Sequence, residues 1–171
     1  MNMNKVLAPI CVFFCLSCGN KNESEIDINR QYLEGTKWKL TGFVDQKTGK
    51  IIEPEPKDFS HHNVNDENNW GRCDCFTIYF DIGLCGVDLV PKPTVSIMAV
   101  SNLFCAAYEV DYVTSSIYIA PLFGTDLCEI GDGYLYFRAF ETVQSFSLKK
   151  NVLKLYYNDN NNYLLFKLYK P

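Results

Sequence analysis

Seven side chains between positions 61 and 75 could together hold a metal ion. They are His61, His62, Asp66, Glu67, Cys73, Asp74 and Cys75. Imidazole and thiolate groups suit zinc or copper, and a loop could fold them around one ion. The two cysteines, however, are one residue closer than in the usual C-x₂-C zinc motif. We favour a solvated polar loop that runs into a disulfide, keep a metal site at His61/His62–Cys73/Cys75 as a weaker alternative, and assign no metal ligand.

The same stretch offers cysteine and histidine for nucleophilic catalysis. Neither Cys73 nor Cys75 lies in a glycine-flanked turn of the kind that forms an oxyanion hole. Carboxylates that could act in hydrolysis are scattered over separate elements, at Asp81, Asp88, Asp111, Glu129 and Asp132. The sequence therefore predicts no catalytic residue and no cofactor, and we expect a protein that is not an enzyme.

Cys18 has a different chemistry because of the residues before it. Lys5 is followed by an almost wholly apolar run over residues 6–16. At about 11 residues this run is too short to span a bilayer and is typical of a signal peptide. Ser17 directly before Cys18 resembles the lipobox of bacterial lipoproteins. The resemblance implies that residues 1–17 are removed, that the Cys18 sulfur receives a diacylglycerol, and that the new amine is acylated, as with palmitate. An ordinary signal peptide cut nearby, or a buried N-terminal helix, is the alternative.

Lipidation at Cys18 would tie the protein to a membrane without crossing it, since two or three acyl chains suffice for stable anchoring. Residues 18–32 are polar and charged and predict a flexible tether. Glu23, Glu25 and Asp27 follow the lipid site closely, and in some Gram-negative lipoproteins such a stretch resembles a surface-export signal. We predict the cell outer membrane as the location, on either the periplasmic or the surface-exposed face.

The composition limits the partners. The formal net charge is −4, removal of Lys5 leaves about −5, and the pI is near 5.2. No basic stripe is present, so nucleic acid is excluded as a partner and electrostatic attraction to anionic lipid is unsupported. The predicted partners are the membrane, through the lipid on Cys18, and an envelope protein or a small ligand.

Five cysteines follow Cys18, namely Cys73, Cys75, Cys85, Cys105 and Cys128. An odd number outside the cytosol predicts at most two disulfides and one spare thiol. Cys73 and Cys75 are too close for a mutual disulfide to be the default. The connectivity stays open at this point.

Residues 33–171 have the length of one domain and a pattern that is mainly β. Trp38 and Leu40 alternate with polar residues, as do Phe76, Ile78 and Phe80, and three further strands are predicted near the end of the chain. Residues 158–162, rich in Asn and Asp, predict a tight turn between the last two. We expect eight or so strands in a small antiparallel barrel. The aromatic content of 15% fits an interior filled by large side chains.

One segment predicts a helix, over residues 129–143, with Asp132 as the N-cap. Six tyrosines are candidates for a ligand mouth or a partner-binding face, while packing on strand faces is their commoner fate. They are Tyr118, Tyr134, Tyr136, Tyr156, Tyr163 and Tyr169.

The order of these elements resembles the META (HslJ-like) domain family. Residues 35–40, GTKWKL, look like the family's G-T-x-W-x-L start, and Asn102 with Tyr108 resembles its C-N-x-x-x-G-x-Y stretch. Gly124-Thr125, the Glu129 region and the predicted helix look like its next segment. The resemblance implies a small β-rich envelope domain without catalytic residues, with a binding or structural role in envelope maintenance. A lipocalin-like barrel that binds a small molecule or peptide in a cavity is the second choice.

Overall fold

The computed structural model describes residues 33–55, 75–86 and 90–169. The predicted lipidation site Cys18, the predicted tether, and His61, His62 and Cys73 lie outside these ranges. Within them the elements are β1 (Lys37–Asp45), β2 (Ile51–Ile52), β3 (Thr77–Gly83), β4 (Lys92–Met98), β5 (Leu103–Asp111), β6 (Ser116–Ile119), β7 (Phe123–Gly124), α1 (Gly133–Phe140), β8 (Ser145–Lys149), β9 (Val152–Tyr157) and β10 (Asn162–Leu168).

Eight of these strands close into an antiparallel barrel, in the order β1, β3, β4, β5, β6, β8, β9, β10. The last strand returns to the first over a long register, from Trp38 opposite Leu168 to Asp45 opposite Asn162. The strands β2 and β7 are short additions on β1 and β5. The predicted fold class, mainly β with one short helix and a small antiparallel barrel, is confirmed.

The connectivity gives the barrel two distinct ends. At the upper end, α1 lies beside the end of β1 and the β9–β10 turn, and the three enclose a cleft. At the lower end the chain enters β1, β3 passes into β4, and the turns β5–β6 and β8–β9 reverse the chain. The backbone enters at the lower end next to β3, where the Gly35 N–H donates to the Phe80 carbonyl over 2.8 Å.

Alternation of apolar and polar residues explains which side chains face the interior. In β3, Ile78 and Phe80 are buried while Tyr79 is half-buried, and in β9 Leu153 and Leu155 are buried while Lys154 is half-buried. The β9–β10 turn has positive φ at Asn158, Asp159 and Asn160, as its composition predicts. The predicted alternation is thus confirmed in these strands.

Two joints interrupt the regular pairing. A bulge at Thr41 shifts the register of β1 against β10, between Leu40 and Gly42. The joint between β6 and β8 has one residue pair, Ser116 opposite Ser145. Hydrogen bonds from the Ile117 N–H to the Gln144 carbonyl and from the Phe146 N–H to the Ser115 carbonyl flank that pair. The barrel is therefore closed strongly at β1–β10 and weakly at β6–β8.

The helix begins where the sequence predicts and ends earlier. Asp132 occupies the predicted N-cap position and α1 begins at Gly133, but α1 ends at Phe140, before the predicted limit at residue 143. The Asp132 side chain makes no capping hydrogen bond. Its Oδ2 instead accepts the Glu55 N–H over 2.8 Å. Glu129, which precedes the N-cap, accepts hydrogen bonds from the β4–β5 turn.

Candidate functional site

The barrel interior is the first place where a ligand could bind, and large side chains occupy it. Trp38 and Phe80 are fully buried and Phe140 is 1% exposed. Tyr136 of α1 meets three other rings edge-on or tilted, with centroids 5.4 Å from Phe76, 5.1 Å from Phe140 and 6.3 Å from Phe166. An eight-stranded barrel is just wide enough to be filled by side chains or to hold one small ligand. In the described residues, the barrel interior is filled by side chains.

The Tyr136 hydroxyl and the Trp38 Nε1 are buried in this packing and have no hydrogen-bond partner among the described residues. Burial raises the pKa of Tyr136 well above its usual value of 10.0, because the charged phenolate would be far from water. A buried group left without a partner costs about 1–3 kcal/mol. Tyr136 is held in place by its ring contacts.

This placement corrects one prediction about the tyrosines. Tyr136 was counted among six side chains suited to a ligand mouth or partner face, but it is fully buried. Tyr118 and Tyr134 are exposed and remain available at the surface. The helical spacing of Tyr136 with Ala139, Phe140 and Val143 predicts the buried face correctly, because all four side chains are buried while Tyr134 is exposed.

A polar cluster at the upper end ties the β4–β5 turn to the segment before α1. Asn102 is buried, and its Oδ1 accepts the Thr125 hydroxyl over 2.8 Å and the Leu127 N–H over 2.9 Å. Its Nδ2 donates to the Leu127 carbonyl over 2.9 Å and to Glu129 Oε2 over 2.8 Å. The Asn102 amide is therefore fully satisfied.

Glu129 completes this cluster from the other side. Its Oε1 accepts the Val100 N–H over 3.0 Å and the Ser101 N–H over 2.7 Å. Carboxylate hydrogen bonds to backbone N–H groups are stronger than neutral ones. Asn102, Thr125 and Glu129, which the META resemblance singles out from separate stretches, thus meet in one network. Every donor here has a protein acceptor, so the cluster is a structural clamp rather than a reactive site.

The bonding state of the cysteines bears on the predicted metal site. Cys85 and Cys105 form a disulfide with a Cα–Cα distance of 5.8 Å, Cys75 is also disulfide-bonded, and Cys128 is free and exposed. A disulfide-bonded Cys75 offers no thiolate to a metal. In the part of the chain that the structure describes, no three His, Cys, Asp or Glu side chains are grouped to hold an ion. His61, His62 and Cys73 lie outside that part.

The described surface carries several clefts. One of about 500 Å³ lies between α1, the end of β1 and the β9–β10 turn, and its lining includes Ile52, Leu135 and Arg138. Another of about 430 Å³ lies between the end of β6 and α1, beside Tyr118 and Phe137. These volumes fall within the range of ligand sites. Arg138, which lines the first cleft, pairs over 2.7 Å with Glu141, which lines the second.

The chain is similar to proteins among both curated sequences and solved structures. A protein of Tannerella forsythia named "Putative lipoprotein" is 28% identical over 168 residues, which cover 98% of this chain and 98% of that protein. The NMR structure of a protein from Burkholderia xenovorans has a TM-score of 0.57 at 13% identity and covers 100% of this chain and 98% of its own. A DUF4847 family protein from Bacteroides vulgatus has a TM-score of 0.51 at 15% identity, over 83% of this chain and 98% of its own.

No model of a known protein family matches the chain. The two solved structures show that the fold occurs elsewhere, and the Tannerella protein shows a relative of the same length. A META domain is not identified by these comparisons, so that assignment stays a prediction. Among the described residues, no helix has the length and apolar character needed to cross a bilayer.

Proposed function

We propose that this chain is a lipid-anchored protein of the bacterial outer membrane that acts by binding, without enzymatic activity, and uses its barrel as a packed scaffold. The interior filled by Trp38, Tyr136 and Phe140 carries this proposal, because it leaves the outer surface as the place where a partner can bind. The relative named "Putative lipoprotein", matched over 98% of its length, supports the anchor. A role in envelope maintenance, as the META resemblance implies, fits such a scaffold.

The anchor is tested by the intact mass of the native protein and by cell fractionation. We expect the mass of a chain that starts at Cys18 and carries a diacylglycerol and an acyl group. A Cys18→Ser variant should leave the membrane fraction, since the acyl chains would hold the protein there. Ser17→Ala, which keeps a small residue before the cysteine and should leave the protein in the membrane fraction, is the matched control. A native protein whose Cys18 thiol is unmodified would refute the anchor.

A lipocalin-like binder is the second candidate, and one observation favours it. The unpartnered Tyr136 hydroxyl and Trp38 Nε1 are the kind of polar atoms that orient a ligand inside a mostly apolar site. Native mass spectrometry of the purified protein separates the two candidates. We expect the mass of the protein alone, whereas a small molecule retained in one-to-one ratio would favour the lipocalin-like function.

The binding surface is tested with photo-crosslinking side chains in intact cells. Leu135 lines the cleft beside α1, and Lys154 lies half-buried on the outer face of β9. A crosslinker at Leu135 should capture one discrete protein of the envelope, and the same group at Lys154 serves as the control. Identical products at both positions would indicate nonspecific contacts and would contradict a specific surface at α1.

A further inference from the structure

Three of the most exposed large apolar side chains of the described residues lie at one end of the barrel. Ile82, Val90 and Val113 are 64%, 73% and 60% exposed. Ile82 is the next-to-last residue of β3, Val90 lies two residues before β4, and Val113 belongs to the β5–β6 turn, so all three are at the lower end. We call the three side chains the apolar rim.

Backbone contacts hold two of the rim residues in place. Ile82 lies within β3, opposite Pro93 of β4. The turn that carries Val113 is organised by Asp111, whose Oδ1 accepts the Val113 N–H over 2.8 Å and whose Oδ2 accepts the Thr114 hydroxyl over 2.7 Å. Burying side chains that are already held in place costs less conformational entropy than ordering mobile ones.

The position where the described chain begins indicates what covers the rim. Glu34 pairs with Phe80, and the Gly35 N–H donates to the Phe80 carbonyl, two residues from Ile82. The segment before Leu33 therefore joins the domain beside the apolar rim. From Cys18 it has 15 residues and can span at most about 50 Å. A lipid on Cys18 would keep the lower end close to the membrane at a high effective concentration.

We infer that the apolar rim is a membrane-contact surface, with which the barrel rests on the bilayer that holds its lipid anchor. The inference rests on the proposed lipid anchor. Charged residues of both signs, Asp81, Lys149 and Lys150, are exposed at the same end, so insertion of apolar side chains, rather than attraction to anionic lipid, supplies the affinity. Tethering makes weak surface affinity sufficient, because the domain cannot diffuse away.

The test uses the mature-length chain with Cys18→Ser, so that no acyl chain contributes, and measures co-sedimentation with phosphatidylcholine vesicles. We expect weak but measurable binding. The triple variant Ile82→Ser, Val90→Ser, Val113→Ser should lower the vesicle affinity about tenfold or more, because binding scales with the apolar area inserted. The matched control at the upper end is Ile51→Ser, Tyr134→Ser, Leu135→Ser, which removes side chains of similar exposure and should leave the affinity unchanged.

Circular dichroism and thermal midpoints verify that all variants are folded, as expected for substitutions at exposed positions. The inference is overturned if the Cys18→Ser chain shows no vesicle binding, or if both triple variants bind equally well. The state of Cys18 is read independently from the mass of the native protein. The mass therefore tests the lipid anchor, and vesicle binding separately tests the contact of the apolar rim with the membrane.

Discussion

The two ends of the barrel are built in different ways. At the upper end, α1 inserts Tyr136 among aromatic rings, and the Asn102–Glu129 cluster ties the preceding segment to the β4–β5 turn. At the lower end, apolar side chains such as Val90 and Val113 extend into solvent from short connections. The difference indicates that buried contacts at the upper end stabilise the fold, while the exposed apolar side chains at the lower end contribute little to stability.

The largest expected effect is at Tyr136. Tyr136→Ala removes a fully buried ring that contacts Phe76, Phe140 and Phe166, and should lower the free energy of unfolding by about 3–5 kcal/mol. Urea denaturation followed by circular dichroism measures it. Val113→Ala at the lower end is the control and should stay within about 0.5 kcal/mol. Equal losses at the two positions would remove the distinction between the ends.

The next effect is at the polar cluster. Asn102→Ala removes both partners of the Leu127 backbone and one partner of Glu129, and should lower the free energy of unfolding by about 3 kcal/mol. Asn151→Ala, at the exposed β8–β9 turn of the lower end, is the matched control for loss of an amide. Hydrogen exchange at Leu127 should rise in the first variant. Unchanged exchange there would mean that Asn102 does not hold this segment.

A smaller effect is expected at Gly133. A methyl group there would lie 2.6 Å from Glu129 Cδ and would push its carboxylate away from the β4–β5 turn. Gly133→Ala should therefore destabilise the protein by about 1 kcal/mol, although alanine in a helix is normally favoured over glycine by a similar amount. Combining it with Glu129→Ala should abolish the loss. A loss that persists in the double variant would assign the effect to another contact.

The smallest effect concerns the Tyr136 hydroxyl. Tyr136→Phe should change stability at neutral pH by no more than about 1 kcal/mol and in the stabilising direction, because this hydroxyl has no partner among the described residues. Burial raises the pKa of Tyr136 above 10.0 in the folded state. The contribution of Tyr136 to the free energy of unfolding is therefore independent of pH well below 10.0, where its hydroxyl keeps the proton in both the folded and the unfolded chain.

Above pH 10.0 the unfolded chain releases this proton while the folded chain retains it, so stability should fall as pH rises. Tyr136→Phe should make this alkaline decline shallower. Part of the slope should remain, because burial also raises the pKa of Tyr157. Thermal midpoints across the alkaline range, compared between the two proteins, measure the effect. Identical slopes would show that Tyr136 is accessible to hydroxide.

Sequence patterns predict the strands better than the site. Alternation places Trp38, Leu40 and Phe80 inside, because in strands a period of two determines which face is buried. The N-cap position of Asp132 was predicted correctly, but the sequence does not indicate that Glu129 and Asp132 bond to partners 28 and 77 residues away. Propensity and local spacing carry no signal for contacts of that range.

The candidate site shows the same limit. The META resemblance picks out Asn102 and Glu129, yet no local pattern indicates that they bond to each other. The alternation of residues also does not predict the apolar rim. Ile82 lies two residues after the buried Phe80 and should face the interior, but it is exposed because β3 extends past its neighbour β1. Whether a residue at the end of a strand is buried depends on the lengths of the neighbouring strands, which are set only in the assembled barrel.

The bulge at Thr41 has a consequence for how the barrel is joined. Before it, β1 runs alongside β3; after it, the same strand leaves β3 and takes β2 as its neighbour, with the Ile51 side chain passing directly over Gly42. The extra residue at Thr41 thus lets a single strand pair with β3 in its first part and with β2 in its second. A side chain larger than hydrogen at position 42 would clash with Ile51 and disturb this change of partner.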